Sequence, residues 1–248
     1  MLLRSLIAVL ACGATAFAQT ATAPQLANES LLETLPFSMI GKLIFAQGGD
    51  WFQGSGTVIR PAAVLTAAHN LWDANRGFST DLIFERARAG ETAAGTSRPS
   101  RVYVLGGYRD STRRGTATDP RAFAQDLGLV LFPQPVASGA SAGWWSNPAL
   151  LLADTATLAL GYGAENHDGT HLLSVGTRNA FSAVTSSFFA NDTVYFEGGM
   201  SGGPLFAPAA NGELLVAGVV VAGAEDRQGG GIRALDATAA QFIRAYAR

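Results

Sequence analysis

A serine sits among four glycines in Gly198-Gly199-Met200-Ser201-Gly202-Gly203-Pro204. Glycine reaches positive φ and lets main-chain N–H groups approach a ligand unobstructed. A turn of this composition presents the Ser201 hydroxyl beside the amides of Gly199 and of Ser201 itself. Acyl transfer requires that pairing. The amides bind the oxygen that becomes negative when the serine attacks a carbonyl, an effect of about 2.7–4 kcal/mol per donor. Read alone, the same residues serve equally well as a glycine-rich hairpin around an ordinary serine.

A serine hydroxyl is a weak nucleophile until a base takes its proton, and the chain holds three histidines. His69 stands out because it ends Val64-Leu65-Thr66-Ala67-Ala68-His69, where an apolar strand-like run gives way to small residues and a polar turn. A neutral imidazole needs a third group to hold its tautomer and stabilise the cation it becomes. Asp126 fits that role. It heads Asp126-Leu127-Gly128-Leu129-Val130-Leu131-Phe132, a segment that reads as buried strand, where an unpaired charge is costly.

Thr-Ala-Ala-His at 66–69, Asp-Leu-Gly-Leu at 126–129 and Gly-Met-Ser-Gly-Gly-Pro at 199–204 together resemble the signature blocks of the chymotrypsin-like serine peptidases, in that family's order of His, Asp, Ser. The branch containing the bacterial glutamyl endopeptidases is the nearest in appearance, and the likeness runs over residues 36–248. The resemblance implies an all-β fold of two packed six-stranded β-barrels with a short C-terminal helix, and a cleft between the barrels. It also implies a serine endopeptidase with His69, Asp126 and Ser201 as catalytic residues, Gly199 and Ser201 as oxyanion hole, and a polypeptide substrate. The α/β-hydrolase order puts serine first, whereas here it comes last. An esterase using the same three residues, or a catalytically silent binding protein on the same fold, remain the alternatives.

The resemblance places a specificity pocket between Tyr195, Phe196, Glu197 and Gly198 on one wall and Val220 on the other. Glutamyl endopeptidases carry a histidine where Val220 falls, and trypsin-like enzymes carry an acidic residue at the pocket base that Tyr195-Phe196-Glu197 does not supply there. Both departures point to uncharged side chains. Met200 stands where animal digestive relatives have an aspartate that pairs with a newly cut N-terminus, so activation by that ion pair is not expected. No serine falls near Val220 to face the triad carboxylate, which leaves Asp126 to backbone amides and His69.

The elements that must position these residues are short strands. Frequent glycine, brief apolar runs and little long helical periodicity favour β structure. Barrel one is expected over about 36–133 and barrel two over about 149–235, with a proline-bounded connection at 133–148. Residues 236–247 read as a helix packed on the second barrel: Asp236 is a suitable N-cap, and Phe242, Ile243 and Tyr246 share a face. The stretch 109–121 reads as a solvated loop in which Asp110 and Asp119 intersperse the arginines. Glu165-Asn166-His167-Asp168-Gly169-Thr170-His171 has metal-ligand residue types, but Asn, Asp and Gly favour a hairpin tip, so no metal and no cofactor is expected.

Residues 1–18 carry Arg4, an apolar stretch and Ala16-Phe17-Ala18, the pattern of a secretory signal peptide cut after Ala18. Export to the periplasm or the medium follows, with residues 19–35 left as a short arm or propeptide. Cys12 is the one cysteine. Val9-Leu10-Ala11-Cys12-Gly13 loosely matches a lipidation box, the single route to a membrane, and the cleaved chain is left without a disulfide. A net charge of −2 excludes a strongly basic nucleic-acid-binding surface, and oligomeric state stays open.

Overall fold

Short runs of small and apolar residues, broken by glycine and proline, become strands in the computed structural model, which describes residues 22–247 apart from 115, 117, 138–139 and 224–228. The signal and lipidation patterns of residues 1–18 lie outside the described residues. The chain opens with β1 (Gln25–Leu26), then β2 (Ile40–Gln47), β3 (Asp50–Arg60) and β4 (Ala63–Thr66). A small ribbon of β5 (Trp72–Asp73) and β6 (Gly77–Phe78) precedes β7 (Thr80–Arg86), β8 (Gly95–Ser97), β9 (Arg101–Val104) and β10 (Gly128–Leu131). These form a seven-stranded antiparallel sheet in the order β8-β7-β2-β3-β4-β10-β9, with the ribbon apart from it.

The second half contributes β11 (Thr157–Gly161), β12 (Leu173–Thr177), β13 (Ser182–Ala183), β14 (Phe188–Asn191), β15 (Pro204–Pro208), β16 (Leu214–Gly223) and β17 (Gly230–Ala234). With β1 they make an eight-stranded sheet in the order β1-β12-β11-β15-β16-β17-β14-β13. The architecture is the two-barrel chymotrypsin-like one. The sheets exceed six strands because short edge pieces join them, among them β1 from the N-terminal arm. Leu43, Leu65 and Leu129 of the first sheet share a buried core with Leu160, Phe206 and Val216 of the second, so the two halves are welded by apolar burial.

The arm is stitched into the second sheet. Gln25 and Leu26 pair with Ser174 and Leu173, the Thr22 amide donates to the Thr193 carbonyl (2.8 Å), and the Tyr195 amide donates to the Thr22 carbonyl (3.0 Å). The connection between the halves is tied to both: the Ala142 amide donates to the Val58 carbonyl and the Trp145 amide to the Val216 carbonyl.

Two expectations need correction. The stretch 109–121 is not a plain loop: α1 (Gly106–Arg114) and α2 (Pro120–Phe123) occupy most of it. Tyr108 and Thr112, four apart, are buried on the inner face of α1. Asp119 caps α2 by accepting the Arg121 amide ahead of Pro120. Charge interspersion concealed that inner face because only two of its residues are uncharged and bulky. The C-terminal helix α3 (Ala237–Tyr246) forms with Asp236 accepting the Ala239 amide at 2.8 Å. Its partner is not the second barrel alone, since Tyr246 stacks on Tyr103 of β9 with ring centroids 4.2 Å apart.

Candidate active site

β4 delivers its chain end into a single 3₁₀ turn, Ala68–Asn70, that carries His69. β10 pairs with β4, setting Gly128 opposite Thr66, and so brings the residues just before Gly128 beside that turn. Asp126 is 1% exposed, a position where a carboxylate must be paired. Its Oδ1 accepts the His69 amide at 2.9 Å and its Oδ2 meets His69 Nδ1 at 2.6 Å. An ionised carboxylate only accepts, so Nδ1 carries the proton and Nε2 keeps its lone pair. Burial works against a charged His69, but the Asp126 charge and hydrogen bond outweigh it and hold the imidazole pKa above its usual value. The His69 side chain keeps 31% of its surface exposed.

Ser201 lies in the turn between Gly198 and β15. Gly199 and Gly202 have φ of +97° and +90°, a region that favours glycine. Neither has room for a Cβ: at Gly199 it would strike the Tyr162 carbonyl oxygen, and at Gly202 the Ser55 carbonyl oxygen and the Thr66 hydroxyl. The Gly198 carbonyl accepts the Ala164 amide at 2.8 Å, and a trans peptide turns the next N–H the opposite way. Among the described residues, the amides of Gly199 and Ser201 have no acceptor within the chain.

The turn is fastened to both sheets. The Ser201 carbonyl accepts the Ser55 amide (2.7 Å) and Asn70 Nδ2 (3.0 Å), so the residue following His69 holds the Ser201 backbone directly. The Ser55 hydroxyl donates to the Gly199 carbonyl (2.8 Å) and accepts the Tyr162 amide (2.8 Å). Ser55 and Asn70 carried no sequence signal, because each looks like an ordinary small polar residue until its distant partners are in place.

Tyr195, Phe196, Glu197, Gly198 and Val220 line one cavity of about 190 Å³ together with Ser201, Glu165, Ala222 and Gly223. Phe196 and Gly223 keep its walls close, since a Cβ on Gly223 would strike the Phe196 carbonyl oxygen. Glu197 is buried and turned aside, meeting His167 Nδ1 at 2.7 Å and the Asn166 amide at 3.2 Å. Glu165, which sequence reasoning missed as a pocket residue, accepts hydrogen bonds from the Tyr195 hydroxyl and the Gly198 amide. It lies in the loop between the paired strands β11 and β12. The pocket therefore has two acidic residues at its lining, Glu165 and Glu197, against the expectation of an uncharged one. Among the described residues no group of three or more His, Cys, Asp or Glu is placed to hold a metal ion.

Known proteins share this fold. The family described as trypsin-like peptidase domain matches residues 54–217. No curated protein sequence matches the chain. Among solved structures, a Glu endopeptidase in complex with MPD superposes with a TM-score of 0.73 at 18% identity, covering 91% of this chain and 97% of its own. A thermostable serine protease from an extremophilic microorganism gives 0.67 at 21% identity, covering 82% and 94%. An inactivated protease paralogue of the scabies mite gives 0.60 at 16%, covering 84% and 94%. Identities this low speak for the fold, which catalytic and silenced proteins share. The match over residues 54–217 carries more: this chain belongs to the family of trypsin-like peptidases.

Proposed function

We propose that this trypsin-like serine endopeptidase cleaves peptide bonds through an acyl-enzyme on Ser201 and acts after export from the cell. Ser201 Oγ attacks the scissile carbonyl while His69 Nε2 takes its proton. The amides of Gly199 and Ser201 hold the resulting oxyanion. His69 then returns the proton to the leaving amine, and water repeats the sequence to release the acid. Asp126 stays ionised and stabilises the imidazolium. The reading rests above all on the 2.6 Å contact between His69 and the buried Asp126, a geometry that fixes the tautomer a general base needs. Export rests on residues 1–18, and the narrow cavity beside Ser201 favours a small or medium side chain on the residue being acylated.

A fluorophosphonate probe tests the mechanism. Labelling of the purified protein that disappears in Ser201→Ala and in His69→Ala supports it. Absence of labelling on well-folded protein across pH counts against it and favours a silent binding protein. Side-by-side hydrolysis of peptides and short-chain esters separates a peptidase from an esterase, and fractionation of the producing cell tests export.

A further inference from the structure

His69 borders a second cavity, about 650 Å³, bounded also by Trp72, Asp73, Tyr108 and Arg113. It shares no lining residue with the cavity beside Ser201, so the two spaces are separate, and the Asn70 contact to the Ser201 carbonyl ties the His69 turn to the Ser201 turn. The wall facing α1 is cationic and aromatic. The guanidinium of Arg109 lies 4.4 Å and that of Arg113 5.4 Å from the Trp72 ring centroid, within cation–π range. Among the described residues Arg113 has no carboxylate within 4 Å. Trp72 is itself buried, at 7% exposure, and among the described residues its indole N–H, also buried, has no acceptor.

The other groups around the space do not answer these donors. Asp73 turns Oδ1 onto the amides of Asn75 and Arg76, both at 2.8 Å. Gln47 gives its amide group to the His69 carbonyl and the Ser79 hydroxyl. The Tyr108 phenol is driven upward by burial and by the Asp126 and Asp73 charges, so it stays neutral. Asp126 lies behind His69, and its charge is balanced whenever the imidazole is protonated. Arg113 is exposed and lies on the cavity beside His69 with no carboxylate partner, and a guanidinium so placed suits a ligand that carries a carboxylate.

Resting on the peptidase reading, we propose that this cavity is a substrate subsite for an acidic side chain next to the residue held beside Ser201, with Arg113, placed over the Trp72 ring, as its specificity-determining residue. The chemistry favours polypeptides bearing Asp or Glu within two residues of the cleaved bond.

The test uses quenched fluorescent peptides that differ only by Glu, Gln or Lys at each of the two positions on either side of that bond. Glu is expected to exceed Gln in kcat/KM by about tenfold at one position. Arg113→Gln removes the preference, Arg113→Glu turns it toward Lys, and Arg113→Lys retains it, all with unchanged melting temperature. A flat profile in the parent protein, or a preference that survives Arg113→Gln, overturns the subsite. The same peptides are titrated against Ser201→Ala protein by fluorescence anisotropy, which needs no turnover. Charge discrimination there without hydrolysis by the parent protein keeps the subsite and sinks the peptidase reading. Equal affinity for Glu and Gln peptides overturns the subsite whatever the hydrolysis shows.

Discussion

The amide of Ser55 donates to the carbonyl of Ser201 at 2.7 Å, across 146 residues of chain. One strand of the first barrel thus holds the backbone of the serine that the second barrel carries. The Ser55 hydroxyl extends the tie to Gly199 and Tyr162.

Ser55→Ala keeps the amide contact but leaves the Gly199 carbonyl and the Tyr162 N–H without partners in a buried site. Leaving such groups unsatisfied costs about 1–3 kcal/mol. Melting should fall accordingly, and kcat should fall by about tenfold with KM changing less, because the loosened turn carries the proposed oxyanion amides while Tyr195, Phe196 and Val220 of the pocket wall lie outside it. Calorimetry and steady-state kinetics read the two effects separately; a KM effect with kcat intact would contradict this role for Ser55.

Asp126→Asn should lower kcat by about 10⁴-fold through loss of the correct His69 tautomer. Burial lowers the His69 pKa and Asp126 raises it more strongly, so removing the carboxylate leaves burial to act alone. The His69 titration, followed by NMR of the ring protons, should move to lower pH. In the parent protein the raised value means that the pair's stabilisation is complete below the unfolded pKa of about 6.5 and is lost as pH rises through the folded one.

Asp236 both caps α3 and meets Arg233 at 3.1 Å, a guanidinium that is 1% exposed. Burial alone would raise the Asp236 pKa, but the Arg233 charge and the Ala239 and Ser187 hydrogen bonds bring it below its ordinary value. The folded value is depressed, so this stabilisation is present above the unfolded pKa of about 3.9 and disappears as pH falls through the folded one. Asp236→Ala strands a buried cation and should cost about 3–5 kcal/mol, measured by denaturant unfolding near neutral pH, with the deficit shrinking toward pH 2.

The arm from Thr22 to Leu26 is bound along the second sheet and holds the backbone on either side of Val194. Intact-mass analysis of the mature protein should find an N-terminus upstream of Thr22. Deleting residues 19–28 removes several backbone hydrogen bonds worth about 1 kcal/mol each. It should raise KM more than it lowers kcat, because Tyr195 lines the pocket. A mature chain that begins after residue 28 would rule this role out.

The candidate site residues were legible where a local pattern exposed them. His69 and Asp126 break apolar runs at a strand end and a strand start, and glycine crowding marks Ser201. The α3 cap and apolar face were readable for the same reason: every partner lies within a few residues. What escaped was long-range. Ser55 and Asn70 gain meaning only from atoms more than a hundred residues away, and Glu165 enters the pocket through the fold of a hairpin. The α1 helix was missed because its arginines are held by aromatic rings of a distant ribbon, whereas sequence shows only their charge.

Tyr246 on Tyr103 makes the last turn of α3 a clasp between the two halves. None of His69, Asp126 and Ser201 takes part in it, so parting the two rings would loosen the seam between the halves without touching those side chains.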